Sequence, residues 1–312
     1  MTEVETNSTP EATVPTQAGF VALIGAPNAG KSTLLNQLVG AKVSIVSHKV
    51  QTTRAIMRGI AIKGPSQVIF VDTPGIFQPK RTLDRAMVNT AWGGASDADI
   101  VAVLIDAKRG IGEEVTRIFD KLADIRHPKI LIINKIDTVK RDSLLALAAD
   151  LNARAKFEAT FMVSALNGSG VEDLMGWLAE QVPVGPWLYP EDQISDLPMR
   201  MLAAEITREK LFLRLHDELP YSSTVETEQW KEMKDGSARL EQTIYVERDS
   251  QKKIVLGKDG QTIKAISMAA RKELTDIVER PVHLFLFVKV RENWAEDPER
   301  LREMGLDLTL KS

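Results

Sequence analysis

From Gly19 onward the chain alternates short continuous apolar runs with longer stretches in which apolar residues recur at helical spacing. FVALIG is followed by KSTLLNQLVG, QVIFVDT by a polar helix-like stretch reaching Trp92, and IVAVLID by EEVTRIFDKLADI; KILIINK then precedes RDSLLALAADLNARA, and TFMVSA precedes VEDLMGWLAEQV. A run that is apolar at every position suits a strand covered on both faces, and strands separated by helices of this length build a mostly parallel sheet flanked by helices. This part of the chain is therefore an α/β domain, with its ligand site expected at the carboxyl ends of the strands.

The periodicity stops at Pro183, Pro186, Pro190 and Pro198, which with Gly185 and the acidic Glu191, Asp192 and Asp196 mark a connector between domains. Beyond it the order changes: a long amphipathic helix over 198–217, the strand-like TVETEQW and ARLEQTIYVER, a helix pair across IVLGKDGQTIKAISMAARKEL, and the strand VHLFLFVKV. This is a smaller α+β unit. The unbroken apolarity of LFLFV assigns Phe285 and Phe287 to the core rather than to a stacking surface. Leu211, Phe212, Leu213 and Leu215, set among Arg208, Lys210 and Arg214, are assigned to core packing rather than to anionic lipid. The expected organisation is a tail over 1–18, an α/β domain over 19–183, a connector over 184–198 and an α+β domain over 199–312.

The 312 residues suffice for about two domains. With no cysteine, thiolate metal sites, thiol catalysis and disulfides are excluded, and the four histidines, His48, His127, His216 and His283, have no metal-ligand spacing. Residues 1–17 contain Glu3, Glu5 and Glu11, no Lys or Arg, and no apolar stretch, so a disordered tail rather than a signal peptide is expected. Every apolar run is far shorter than the ~18 residues of a membrane span. The net charge of −3 argues against a nucleic-acid partner until it is divided by region. Residues 251–290 carry eight basic against four acidic side chains, a local +4 that leaves −7 for the remainder.

The chemistry lies at the predicted strand ends. Gly25, Ala26, Pro27, Asn28, Ala29, Gly30, Lys31 and Ser32, with Thr33 behind them, follow a strand and open a helix, the context in which GxxxxGK[ST] cradles phosphates. The glycines let backbone N–H groups curl around phosphate oxygens, and the helix N-terminus adds its positive end. Lys31 would reach the β- and γ-phosphates and the Ser32 hydroxyl would ligate Mg²⁺. Asp72, Thr73, Pro74 and Gly75 end the strand QVIFVD: the Asp72 carboxylate would hold Mg²⁺ through water, and the Gly75 N–H would sense a γ-phosphate. Asn134, Lys135, Ile136 and Asp137 end the strand ILII. Asp137 offers two acceptors to the adjacent N–H donors that guanine has and adenine lacks, a mismatch worth roughly 10⁴–10⁵ in discrimination. Ser164, Ala165 and Leu166 follow TFMV, where a backbone N–H is expected to meet the guanine carbonyl.

Four such elements in this order resemble the P-loop GTPase superfamily over Gly19 to about Val182, and NKID separates the chain from ATPases. The resemblance implies GTP and GDP as ligands, Mg²⁺ as cofactor, and a threonine that closes on the metal. Within 42–54 the segment Gln51-Thr52-Thr53-Arg54 resembles a first switch; Thr53 is preferred as the ligand, with Thr52 the alternative. Lys31, Thr53, Asp72 and Gly75 form the expected catalytic set. Where many GTPases carry a water-orienting Gln after the DxxG glycine, this chain has Ile76, so intrinsic hydrolysis is expected to be slow unless charge is supplied otherwise. Asn28 resembles the residue that in related GTPases holds K⁺ against the phosphates; the alternative is that it only shapes the loop.

In the basic region, Gly257-Lys258-Asp259-Gly260 is a GxxG loop between two helix-like segments. Two glycines allow backbone to approach phosphates, and such loops in KH domains clamp about four nucleotides of single strand. Ile254, Leu256 and Ile263 would form the apolar wall, with charge from Lys258 and Lys264. The pairing of both domains resembles the bacterial ribosome-assembly GTPases of the TrmE-Era-EngA-like group that carry a C-terminal KH domain. That resemblance implies recognition of the 3′ end of small-subunit ribosomal RNA, a role in 30S subunit maturation, action as a monomer, and a cytoplasmic location with peripheral association at the inner membrane. The competing classes are a constitutive RNA-binding scaffold, against which intact Lys31, Ser32, Asp72 and NKID argue, and a membrane-associated signalling GTPase whose GxxG loop packs internally.

Overall fold

The computed structural model describes residues 14–50 and 52–306; residues 1–13 of the tail expected over 1–18, Gln51 and residues 307–312 lie outside the described residues, and the last two residues of that tail belong to the first strand. The N-terminal elements run β1 (Gln17–Gly25), α1 (Lys31–Val39), β2 (Met57–Lys63), β3 (Ser66–Asp72), α2 (Thr82–Asp97), β4 (Ile100–Asp106), α3 (Glu113–Leu122), β5 (Lys129–Asn134), α4 (Arg141–Arg154), β6 (Ala159–Val163) and α5 (Val171–Gln181). The sheet order is β2-β3-β1-β4-β5-β6. Successive residues of β1 divide between two cores. Val21 and Leu23 pack with Leu34, Phe70 and Leu174 on one face, Ala22 and Ile24 with Ala91, Val103 and Ile118 on the other. Each fully buried side chain of this size is worth about 1.5–3 kcal/mol, and Leu34→Ala would cost about 2–5 kcal/mol.

The α/β reading is correct, with one strand not anticipated. β2 is antiparallel to β3, in register from Met57↔Asp72 to Lys63↔Ser66. Its sequence, MRGIAIK, breaks the apolar run with Arg58 and Gly59, so it carries neither strand signal cleanly. Gly25 ends β1 because a Cβ there would stand 2.6 Å from the Leu104 carbonyl of β4, so only glycine lets the chain leave the sheet at this point.

The proline-rich connector lies along the β2–β3 edge rather than hanging free. Ile60 N–H donates to Ile194 O at 2.9 Å, Trp187 Nε1 to Pro65 O at 2.8 Å, and Gln67 Oε1 accepts from the Leu188 and Tyr189 amides. Those contacts satisfy the edge of the sheet.

The C-terminal elements are α6 (Met199–Arg214), β7 (Ser223–Glu232), β8 (Ala238–Val246), α7 (Asp249–Leu256), α8 (Gln261–Val278), β9 (Val282–Val290) and α9 (Pro298–Glu303). β8 pairs antiparallel with β7 and parallel with β9, the latter reached through the α7–α8 crossover. Leu211, Phe212 and Leu215 are buried with Val255, Ile266 and Val288, so α6 packs in the core. The expectation for Phe285 and Phe287 was wrong. β9 is an edge strand whose Leu284, Leu286 and Val288 face the helices, while Phe285 and Phe287 project from the other face, 43% and 49% exposed. An all-apolar run can arise from a strand with one open face, and periodicity alone does not separate the two cases.

Candidate functional site

The phosphate loop begins where β1 ends, and α1 opens at Lys31 directly behind Gly30. Gly30 caps α1 in the left-handed region with φ 98°, and a Cβ there would collide with Asn134 Nδ2. Asn28 also takes positive φ, 64°, a conformation asparagine tolerates better than most residues. Ala29 is buried, and its carbonyl accepts from Asn134 Nδ2 at 2.9 Å. Lys31 is buried, with Nζ donating to Gly25 O at 3.1 Å and Ala26 O at 3.2 Å. Burial pushes its ammonium down to about 8, against the partial opposition of the Asp72 and Glu114 charges. A cation so desolvated gains strongly from an anion delivered to the loop.

Three hydroxyls converge on Asp72 at the end of β3. Oδ2 accepts from Ser32 Oγ at 2.7 Å, Ser44 Oγ at 2.9 Å and Thr53 Oγ1 at 3.4 Å, and the Ser32 and Thr53 hydroxyls are 2.9 Å apart. Oδ1 is buried without a partner. Burial raises the Asp72 pKa, with Lys31 and the hydroxyls opposing it. An orphaned carboxylate oxygen beside two further oxygen donors is the donor set a hard divalent cation requires, so these residues fit Mg²⁺. Thr52 is turned elsewhere, its hydroxyl within 2.6 Å of Ser47 Oγ and 2.7 Å from Lys49 O. The geometry favours Thr53 over Thr52. Ser44, one of the four hydroxyl side chains of 42–54 that the sequence offers with Ser47, Thr52 and Thr53, was not singled out, because no motif surrounds it. A small cavity of about 60 Å³ lies between the phosphate loop and residues 45–53, with Gly75 on its wall.

Gly75 sits close enough to Pro27 that a Cβ would come within 3.0 Å of its backbone. The Thr73 hydroxyl donates to Leu23 O at 2.8 Å, tying Thr73-Pro74 to β1. Ile76 is buried in the same core cluster as Ala26, and its N–H donates to Gly25 O at 3.0 Å, which ties it to the start of the phosphate loop. Asn28 Nδ2 donates to His48 O at 2.9 Å, joining the phosphate loop to the 42–54 segment.

At the far end, the Asn134 carboxamide binds three loops together. It donates to Ala29 O and accepts from the Lys135 and Ala165 amides at 2.8 and 3.0 Å. Lys135, at φ 64°, reaches Asn28 O at 2.6 Å and Asp106 Oδ2 at 2.7 Å. Burial works to raise the Asp106 pKa, but the Lys135 hydrogen bond and charge and the Arg109 and Lys108 amides outweigh it and hold the carboxyl below its usual range. Asp137 is solvent-exposed beside half-buried Ile136, and Ser164 Oγ donates to Asp137 Oδ1 at 2.6 Å. The Ser164 amide donates to Ser169 O and the Ala165 amide to Asn134 Oδ1, and the Ser164 hydroxyl bonds Asp137. Asp106 had no sequence signal of its own.

The GxxG loop joins α7 to α8. Gly257 has φ 73° and a Cβ there would strike the Thr262 side chain; Gly260 has φ 71°, and Asp259 between them φ 52°. Lys258, Asp259 and Lys264 are exposed around it, Ile254 is exposed on α7, and Leu256 and Ile263 lie half-buried against the core.

The two domains meet through the 42–54 segment. Lys42 pairs with Glu209 and Glu273, the Val46 amide donates to Glu209 Oε1, and Lys49 Nζ donates to Phe212 O and Leu215 O. Arg54 is fully buried, donating to the carbonyls of Pro220, Tyr221 and Ser223, with its guanidinium 5.4 Å from the Phe212 ring and 5.5 Å from Trp294. Burial and the neighbouring Arg208 charge push it down to about 9. Arg208 in turn donates to Thr52 O and pairs with Glu205. α2 adds an apolar contact, with Leu83 and Met87 against Trp294 and Leu301. None of this interface was legible in the sequence.

Comparison with known proteins identifies a GTPase domain and a KH domain in the chain. A family profile described as 50S ribosome-binding GTPase matches residues 20–135, and a KH domain profile matches residues 218–295. The chain is 69% identical over 307 residues to GTPase Era of Sinorhizobium medicae, covering 98% of this chain and 99% of that protein. It is 68% identical over 310 residues to GTPase Era of Rhizobium meliloti, with the same coverage of each. Among solved structures it resembles an Aquifex aeolicus Era variant bound to GDP·AlF4⁻, at 38% identity and TM-score 0.88, covering 93% of this chain and 99% of that one. A complex of Era with MgGDPNP and nucleotides 1506–1542 of 16S ribosomal RNA matches with the same identity, coverage and TM-score.

Proposed function

The chain belongs to the GTPase Era family, and from that premise we propose that it is a GTP-hydrolysing switch whose KH domain binds the 3′ end of small-subunit ribosomal RNA and assists assembly of the 30S subunit. The observation that carries the reading is the adjacency of Thr53 and Arg54. One reaches the Asp72 carboxylate and the other is buried among carbonyls of the C-terminal domain, so nucleotide occupancy and domain placement act on neighbouring residues. We adopt for these roles the division into 19–183, a connector over 184–198 and 199–312.

Mg²⁺ bound at Ser32, Thr53 and Asp72 would neutralise the charge that develops on the transferred phosphoryl group. Ser32 and Thr53 offer hydroxyl oxygens to it, and Asp72 anchors both. Lys31 exchanges its two backbone carbonyls for phosphate oxygens, recovering the hydrogen bonding that its burial demands. Ile76 has an aliphatic side chain buried in the core and supplies no group to orient water. Asn28 is the side chain available to hold K⁺ beside the phosphates, in place of its bond to His48 O. Asp137 accepts from the guanine edge, steadied by Ser164. The Gly257–Gly260 loop takes the RNA backbone, with Lys258 and Lys264 beside it and Ile254, Leu256 and Ile263 under the bases.

α8 begins at this loop and carries Glu273 about 18 Å along its axis, at 1.5 Å per residue, where Glu273 meets Lys42 of the 42–54 segment. One rigid helix therefore spans both sites. Peripheral membrane contact has no support from α6, whose Leu211 and Phe212 are buried, and no helix among the described residues is long and apolar enough to cross a membrane. The 30S subunit is the proposed partner, bound by the monomer in the cytoplasm. The test is RNA affinity of the full chain in its apo, GDP and GTP-analogue states, together with GTP turnover. Affinity that differs between the nucleotide states supports the switch; equal affinity in all three removes it.

A further inference from the structure

The outer face of the C-terminal sheet is divided. Over β7 and β8 it is closed by the segment around α9, where the Arg300 guanidinium sits 4.3 Å from the Tyr245 ring and pairs with Glu226. Over β9 it is open, and period-two alternation brings His283, Phe285, Phe287 and Lys289 to the surface in one row, all exposed. Register places Arg239 of β8 opposite His283, and its guanidinium lies 4.6 Å from the Phe285 ring while pairing with Glu241. Beneath the row, opposite Phe287, the Thr243 hydroxyl is buried and unpartnered. Two exposed aromatics on an edge strand are costly to leave in water and make no contribution to the core behind them.

We propose that this row is a second single-stranded RNA contact, a stacking platform for bases that leave the GxxG groove, and the proposal rests on the RNA-binding reading above. Three features select RNA as the occupant. The row sets two aromatic rings between His283 and Lys289, with the Arg239 guanidinium beside Phe285, which suits a phosphate backbone with splayed bases and not an apolar protein surface. The two rings are i and i+2 on one strand, about 7 Å apart, a spacing that serves successive unstacked bases. The platform is also continuous with the groove: β9 packs through Leu286 and Val288 against the same cluster as Val255 and Ile263, so a strand passing over the β9 edge moves from groove to platform. Sheet aromatics of this kind stack about two or three bases, beyond the four a KH loop clamps.

The test uses the full chain bound to a GTP analogue, with two RNA probes: a twelve-nucleotide single strand copied from the 3′ end of small-subunit ribosomal RNA, and a tetranucleotide from within it. The double variant Phe285→Ala/Phe287→Ala is expected to bind the twelve-mer about tenfold or more weakly, with the tetranucleotide unchanged, and Phe287→Trp is expected to retain twelve-mer affinity. Unchanged GTP turnover and thermal unfolding confirm that the variants are folded. Wild-type affinity of the double variant for the twelve-mer, or an equal loss on both probes, overturns the platform alone. A change in sedimentation with RNA binding intact assigns the face to a protein contact and also overturns it. If the wild type binds neither probe, the RNA-binding reading falls and takes the platform with it.

Discussion

Asn134 is the residue on which the nucleotide site turns, because a single carboxamide satisfies the Ala29 carbonyl and two amides from separate loops. Removing it leaves buried backbone groups without partners, at about 1–3 kcal/mol each. Asn134→Ala is therefore expected to lower the unfolding midpoint of the nucleotide-free protein as well as GTP affinity, which calorimetry and nucleotide titration would separate. Gly30→Ala reaches the same place from the other side, since its Cβ would collide with Asn134 Nδ2 and its φ of 98° disfavours any side chain. Loss of nucleotide binding is expected, and a Gly30→Ala protein with wild-type GTP affinity would refute this account of the loop. Asn28 carries a different prediction. Potassium is expected to accelerate hydrolysis over sodium, and Asn28→Ala to abolish the difference; equal wild-type rates in the two salts would reduce Asn28 to a loop residue bonded to His48 O.

α6 and the 42–54 segment form the element-scale unit of the molecule. Glu209 is nearly buried on α6 and accepts from Lys42, Lys210 and the Val46 amide. Burial acts to raise its pKa, but those three donors outweigh it and hold the carboxyl below the usual glutamate value. A carboxylate whose folded pKa is depressed stabilises the fold fully above its unfolded pKa, and that contribution is lost as pH falls through the folded value. Wild type and Glu209→Gln should thus differ most in unfolding midpoint near neutral pH, and the difference should narrow below about pH 4.3. Parallel curves down to strong acid would mean that the carboxylate contributes nothing through its charge. β9 belongs to the same scale, because its two faces have different fates. Leu284, Leu286 and Val288 close the core, while Phe285 and Phe287 remain outside it.

Across the whole molecule, Arg54 joins the two domains. Its guanidinium fills three carbonyls of residues 220–223 and packs near Phe212 and Trp294, one residue from the hydroxyl that reaches Asp72. Couplings between distant sites are typically about 5–150-fold in affinity. Arg54→Met is expected to bring the ratio of RNA affinities in the GTP-analogue and GDP states toward one, at a stability cost of about 2–4 kcal/mol from carbonyls left unpaired. Retention of the full ratio in a folded Arg54→Met protein would place the coupling elsewhere, with α8 and its Glu273–Lys42 pair the next path.

What the sequence determined by itself is whatever depends on neighbours along the chain. Apolar runs marked the five parallel strands of the α/β domain, glycines at positions 25 and 30 marked a phosphate loop, and NKID and GxxG declared their chemistry, because each is a short segment whose backbone conformation and side-chain types suffice. What only the tertiary structure decided depends on separations of tens to hundreds of residues. Thr53 was favoured over Thr52 by which hydroxyl reaches a carboxylate on another strand, and Ser44 and Asp106 joined their sites by the same kind of approach. The burial of Arg54 required a partner domain about 170 positions away. The exposure of Phe285 required knowing that β9 is an edge with one covered face. Periodicity records that a residue is apolar; only packing determines whether anything lies on top of it.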